Sequence, residues 1–388
     1  MEGPARLMFV LVTSVAAASH TVGAAADRFV PADPQFVVAN VRQAIPDPAL
    51  RELIARWRAT PDDAASAALG AAFLEHAGQL REPMYVGRAE AVLASAASRA
   101  VASSTVRRLY AETLQYRHEF PAAEVMLDAI LKETPRDAAA RQQRASVRLV
   151  RGDFAGARAD CAQLLASGGV QTIALACLAE AMAGAGQLPQ ALALLAAYPL
   201  RDSEPPAARA YFLAVRGELF ERAADANRAI VDYAAALTLT PGADSVRAAL
   251  ADALMMRGES RDATDLLGIE RPSLALTVRL AAYTHGSDGD RLRAQAAALL
   301  ELEAARGDAL HYRESALLAL NTGEAARALA AARANFRSQR ELPDVRVLAR
   351  AAAAARDAGA QRELQAWMRD TGFRDAFTEN LLATGPRG

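Results

Sequence analysis

Two cysteines, five histidines and many carboxylates are the groups in this 388-residue chain that could do chemistry. Cys161 and Cys177 could pair. A bridge between them would close a loop of about 15 residues and contribute roughly 3 kcal/mol by restricting the unfolded chain. In an oxidising compartment a disulfide is expected, and in a reducing one two buried thiols acting as small apolar groups. The apparent export signal described below favours the disulfide. His20, His76, His118, His285 and His311 are widely separated. None forms a His-x-x-x-His or Cys-x-x-Cys spacing, so no metal is expected. Ser287-Asp288-Gly289-Asp290 resembles the start of a calcium loop, but the remaining ligands and the closing glutamate are missing. There is no glycine-rich phosphate loop and no nucleophile elbow. The expectation is a protein that is not an enzyme and holds no cofactor. Arg151-Gly152-Asp153 matches a tripeptide of adhesion proteins and calls for a structural context before it is given a role.

The elements that would position these residues follow from composition and repetition. Hydrophobic residues make up 52% of the chain but aromatics only 5%, with alanine dominant, which suits closely packed helices rather than sheets. The net charge of −1 supplies no basic field for nucleic acid. Lys132 is the only lysine, and the Ala/Arg bias reads as the imprint of a GC-rich bacterial genome. A repeat runs through His118, Gly152, Gly186, Ala224, Gly258, Gly289, Gly323 and Gly359, with spacings of 34, 34, 38, 34, 31, 34 and 36. Five positions after these anchors stand Ala123, Ala157, Ala191, Ala263 and Ala328. Seven positions before them stand Ala111, Ala145, Ala179, Gly217, Ala251, Ala282 and Ala316. Paired small residues let two antiparallel helices approach closely.

This pattern resembles the tetratricopeptide repeat (TPR), a 34-residue helix–turn–helix with small residues at consensus positions 8 and 20. Pro135 and Pro241 fit its frequent late proline, although the usual early tryptophan is absent. The resemblance covers about residues 64–378. It implies an all-α right-handed superhelix, a solenoid of about nine helical hairpins. Arg151-Gly152-Asp153 then falls in a hairpin turn, with Asp153 placed to cap the following helix and Phe154 to tuck into the hairpin. The resemblance also points consensus positions 2, 5, 9, 12 and 13 into a concave groove. These positions give Glu112, Tyr116, Glu180, Tyr211, Glu218, Asp252, Met255 and Met256, an acidic face suited to a basic or mixed peptide. An ordinary solvated face would look the same in sequence. The lysine and asparagine of carboxylate-clamp relatives are absent, so acidic C-termini are not expected partners. Arg144 and Arg216 occupy a position normally held by leucine and call for a carboxylate of a neighbouring repeat. A polar cluster gathers His311, Arg313 and Glu314 with Asn335, Gln339, Arg340 and Glu341. It reads as a buried network or as a partner site.

The ends complete the organisation. Residues 1–26 read as a signal peptide cleaved after Ala26, which predicts a periplasmic location. Residues 27–46 read as an extended proline-containing leader, and 47–103 as an N-terminal helix, capped by Asp47, with an irregular first pair. That pair carries about seven inserted residues and a loose hairpin around Pro83. Residues 104–343 hold the repeats, 344–382 a last repeat and capping helices that include Trp367 and Phe373, and 383–388 a frayed tail. The leader, "RLVRGDFAGARADC" and the polar cluster together resemble a family of uncharacterised exported bacterial TPR proteins. This resemblance implies a non-enzymatic protein–protein interaction scaffold in the cell envelope that binds a partner segment in its groove. It implies as alternatives an accessory factor for a membrane transporter, possibly of metal, or for an envelope assembly machine. A soluble small-ligand or glycan receptor is a further alternative, favoured by a closed pocket within the superhelix.

Overall fold

Most repeat anchors place a turn between two amphipathic stretches, and a helical hairpin forms there. The computed structural model describes residues 47–384 apart from 81, 83, 100, 169, 271 and 307–310. Residues 1–46, expected to be signal and leader, and residues 385–388 lie outside the described residues, while residues 383–384 of the expected tail are helical. Among the described residues all regular structure is helical. A single helix α1 (Pro48–Ala59) precedes the pairs α2 (Asp63–Leu80) and α3 (Met84–Ala97), α4 (Ser104–Tyr116) and α5 (Phe120–Glu133), and α6 (Ala138–Arg151) and α7 (Phe154–Ala166). Then come α8 (Gln171–Gly184) and α9 (Leu188–Ala196), α10 (Pro206–Arg222) and α11 (Ala226–Leu239), and α12 (Asp244–Met256) and α13 (Ser260–Leu267). The series ends with α14 (Leu274–Tyr283) and α15 (Gly286–Arg306), α16 (Tyr312–Asn321) and α17 (Ala325–Phe336), α18 (Leu342–Ala354) and α19 (Ala358–Thr371), and the single helix α20 (Ala376–Thr384).

One local device makes most hairpins. The first helix ends in a residue of positive φ, and the next residue's N–H closes a six-residue ring onto a carbonyl of the last turn. Asp153 donates to Arg148 O at 2.8 Å, Gln187 to Met182 O at 2.9 Å, and Asp225 to Phe220 O at 2.8 Å. His118 (φ 58°) and Ala224 (φ 62°) adopt the conformation that glycine takes elsewhere in the series. Asp153, Asp225 and Asp357 then cap the second helices, accepting from Gly156 N, Arg228 N and Ala360 N at 2.8–3.0 Å. Ala111, Ala123, Ala145, Ala157, Ala179, Ala191, Ala251, Ala263, Ala316 and Ala328 are all fully buried where paired helices cross.

Three sequence readings require correction. In the last pair the left-handed residue is Arg356 (φ 51°), not Gly359, which lies in the first turn of α19. In the seventh pair Gly289 lies inside α15, where a Cβ would stand 2.2 Å from Thr284 O. Close approach, not a turn, demands glycine there, and Ala281 rather than Ala282 is the fully buried small residue. In the first pair α2 runs on to Leu80, so part of the inserted length is helix, and residues 81 and 83 of the expected loose hairpin lie outside the described residues.

The larger correction concerns the C-terminal end. In a simple solenoid each repeat touches only its neighbours, and terminal helices merely cover an open end. Here α16–α20 pack back onto the hairpin turns of the first half. Phe154 stacks on Phe373 at 6.3 Å and meets Trp367 at a tilt, 6.4 Å away, and one hydrophobic core unites Leu149, Phe154, Ala157 and Ala181 with residues 316–382. Arg340 N donates to Val150 O at 2.7 Å, and Arg222 Nε to Arg374 O at 2.9 Å. The backbones of Gly186 and Gly372 meet: a Cβ on Gly372 would lie 3.0 Å from Gly186 Cα. The Arg151-Gly152-Asp153 turn lies within this contact. Arg151 pairs with Glu124, Gly152 sits against the Arg340 side chain, and Asp153 caps α7. All three residues thus serve the fold.

Candidate functional site

The inner helices α8, α10 and α12 carry most of the sequence-predicted groove residues, and the groove is narrowed rather than sealed: the side chain of Glu218 is 30% exposed and that of Glu341 39%. The N-terminal part of α18 and Arg313 of α16 stand across from them. What remains is two adjoining chambers of about 440 and 290 Å³ that share Glu218, Tyr233, Ala249 and Pro343. Glu180, Tyr211, Arg313 and Glu341 line the larger chamber. Asp252, Met255, Met256, Arg346 and Arg350 line the smaller, with Phe377 of α20. The structure thus brings Glu180, Tyr211, Glu218, Asp252, Met255 and Met256 to one lined space. Glu112 is on α4, outside it. Tyr116 is half exposed and lines a separate cavity of about 490 Å³ with Glu90, Arg117, Ser273, Glu303 and His311.

The charges of the chambers divide into two groups. Asp252 holds Arg279 at 3.0 Å and also accepts from Tyr283, so it is part of the packing. Glu221 accepts from Tyr233 at 2.7 Å and pairs with Arg346, which also holds Asp375 at 2.8 Å. Glu341 pairs with Arg313 at 2.8 Å. Glu180 accepts only the neutral Tyr211 hydroxyl, at 2.9 Å. Glu218 has Arg222 Nη1 no nearer than 3.9 Å. Burial raises the pKa of Glu180 to about 7 and of Glu218 to about 8; Glu341 adds to the rise at Glu180, and Glu180 to the rise at Glu218.

The polar cluster divides as well. Arg313 Nε donates to Asp344 at 2.5 Å, Asn335 Nδ2 to the same carboxylate at 2.6 Å, and Gln339 Nε2 to Asn335 Oδ1 at 3.1 Å. Asn335, fully buried, thereby finds the partners that an amide in a helix crossing requires. Glu341 and Asp344 form a reciprocal cap at the start of α18, and Glu314 is buried nearby, adding negative charge beside Arg313. His311 turns away to Glu303 at 2.8 Å and meets the His118 ring edge-on at 5.4 Å. Arg340 packs over Phe336 and at the closing seam. The arginines in leucine positions pair chiefly within their own hairpins, not with a neighbouring repeat. Arg216 holds Asp232 at 2.7 Å. Arg144 holds the buried Asp160 at 2.9 Å and reaches back to Asp128 at 2.6 Å. Cys161 and Cys177 form a disulfide with Cα atoms 5.6 Å apart, linking α7 to α8.

Sequence reasoning missed Asp344, Glu221, Arg222, Tyr233 and Arg346. The Glu341/Asp344 spacing is a capping-box signal and could have revealed Asp344. Tyr233 meets Glu221 within its own hairpin, while Glu221, Arg222 and Arg346 gain their role from contacts between distant repeats, for which no local pattern exists. Among the described residues no helix is long and apolar enough to cross a membrane, and no group of three or more His, Cys, Asp or Glu side chains could hold a metal.

No protein-family model matches the sequence, and no curated protein matches it. Solved structures do resemble the fold. One is a thermophilic TPR protein of Thermus thermophilus, at 22% identity over 50% of this chain and 98% of that chain, with a TM-score of 0.38. Another is a tetratricopeptide repeat protein from Parabacteroides merdae, at 13% identity over 73% and 98%, with a TM-score of 0.38. The human IFIT1 dimer with PPP-AAAA matches at 14% identity over 79% and 72%, with a TM-score of 0.50. At such identities the likeness is one of fold, and together with the repeated hairpins it makes this chain an all-α superhelix of the TPR type.

Proposed function

We propose that the chain is a non-enzymatic interaction scaffold exported to the bacterial cell envelope, cleaved after Ala26 and periplasmic. Its partner presents a basic group to the inner face of α8 and α10. The TPR-type fold supports protein interaction in general. The observation that carries the finer reading is that Glu180 and Glu218 line the narrowed groove with no cation of the described residues in hydrogen-bond reach, while its other carboxylates are paired. A helix is about 10–12 Å across and does not fit chambers of this size, so the partner reaches them with a side chain or an extended stretch. The narrowing of the groove into two lined spaces also favours a second reading, a receptor for a small ligand. The PPP-AAAA of the IFIT1 structure is a poor guide to the ligand, since this inner face has the wrong sign for a polyphosphate.

Crosslinking in the native envelope tests the scaffold reading, with wild type compared against E180Q/E218Q and with E112Q as a control outside the chambers. A partner captured by wild type and E112Q and lost from the double variant is expected. Equal capture by all three proteins overturns the assignment to this face.

A further inference from the structure

We infer that the inner chambers bind a guanidinium or ammonium group carried on a short apolar stem, seated between Glu218, Glu180 and the rings of Tyr211 and Tyr233. The inference rests on the proposed role of this face and adds the chemistry of what it takes.

The argument begins with Arg222, the nearest internal cation. Its Nε donates to Arg374 O at 2.9 Å and its Nη2 to Ala183 O at 3.0 Å, and the guanidinium lies 4.0 Å over the ring of Phe373. These contacts hold it in the closing seam, so it cannot swing to close the 3.9 Å gap to Glu218. Arg313 and Arg346 are committed to Glu341, Asp344, Glu221 and Asp375. Arg350 lines only the smaller chamber, beside Tyr283. Among the described residues, the larger chamber therefore holds two carboxylates in excess of the cations that can reach them. Burying a carboxylate without a partner is costly, and a proton or an incoming cation relieves the cost. The rest of the wall fits an organic cation better than a hydrated ion. Ala207, Ala210, Ala214, Val215, Val246 and Pro343 are apolar, and tyrosine rings attract cations over their faces. The volume of about 440 Å³ falls within the usual range for small-ligand sites.

Proton coupling follows from the same geometry. Glu218 is faced by Glu180 from α8, by Glu221 and Arg222 on its own helix, and by Glu341 at the start of α18. Glu180 is faced in addition by Tyr211. Acidic neighbours outnumber basic ones, so the pair keeps a proton near neutral pH, and a bound cation displaces it. With Glu218 near 8, affinity for a permanently charged guanidinium rises roughly tenfold from pH 7 to pH 9, with release of about one proton at pH 7.

The test is isothermal titration of the full chain with n-butylguanidinium, with neutral butylurea as control and a blocked Ala-Arg-Ala tripeptide as a second arm. Butylguanidinium is expected to bind with that pH dependence, and butylurea not to bind. E218Q should weaken binding at least tenfold and leave at most the roughly twofold pH dependence that Glu180 supplies. Thermal unfolding of E218Q, expected at or above the wild-type temperature, shows that the variant folds. Binding of the tripeptide alone, with the same dependence on Glu218, keeps the site and identifies its cation as a side chain of a polypeptide. Failure of both probes at 10 mM, or wild-type binding by E218Q, overturns the inference. If the envelope crosslink still depends on Glu180 and Glu218 in that event, the scaffold reading stands without it.

Discussion

Replacing Phe154 with alanine should loosen two parts of the chain some two hundred residues apart. Phe154 begins α7 and is only 8% exposed. On one side it fills the space above Gly184, where a Cβ would stand 2.2 Å from its ring, and on the other it meets Trp367 and Phe373. Losing a buried phenylalanine costs about 3–5 kcal/mol in transfer and cavity terms, with the aromatic contacts as part of that loss. In a nearest-neighbour solenoid this cost would fall on α6–α9 alone. In the closed arrangement the same cavity opens beneath α19 and α20. Since 1.4 kcal/mol is a factor of ten, amide exchange in both regions should rise by roughly two to four orders of magnitude wherever it proceeds through the shared opening. Hydrogen-exchange mass spectrometry of wild type and F154A reads this directly. Faster exchange in residues 149–184 with residues 364–382 unchanged would refute the closed core.

Three further outcomes follow. Gly372 (φ 78°) faces Gly186 at backbone contact, so G372A should cost at least about 1–2 kcal/mol from conformation alone and lower the melting temperature, whereas G242A, where a Cβ meets nothing within 4 Å, should leave it near the wild-type value. Replacing both Cys161 and Cys177 with alanine should remove about 2–4 kcal/mol, read as a lower urea midpoint under non-reducing conditions. Glu180 and Glu218 bind protons more tightly folded than unfolded, so their contribution to stability is fully present below the unfolded pKa of about 4.3 and is lost as pH rises through the raised folded values near 7 and 8. E180Q/E218Q should therefore flatten the fall in urea midpoint between pH 5 and pH 9 and exceed wild type at pH 9; an unchanged slope would show that burial does not penalise these charges.

The hairpins were legible because everything that makes them is local. A residue able to take positive φ, a polar cap after it, and small residues five after and seven before it recur at one period, and each has a direct structural counterpart. Legibility failed where one of these signals served another purpose. Gly289 and Gly359 carry the right residue type at nearly the right spacing, but one is required by close packing and the other merely follows a turn made by Arg356. The inward residues Glu180, Glu218 and Asp252 share one consensus position, yet the structure gives them different surroundings. Asp252 is held by Arg279, while Glu218 has only a locked arginine 3.9 Å away.

The sequence by itself determined the helices, their pairing and the face each turns inward, because backbone capping and side-chain size act over a few residues. Only the tertiary structure decided that the superhelix closes on itself, seats Phe373 on Phe154 and Gly372 on Gly186, and turns an open groove into two chambers. Closure is the sum of small rotations between successive repeats. No single repeat encodes that sum, and the contacts it creates join residues that share no local pattern.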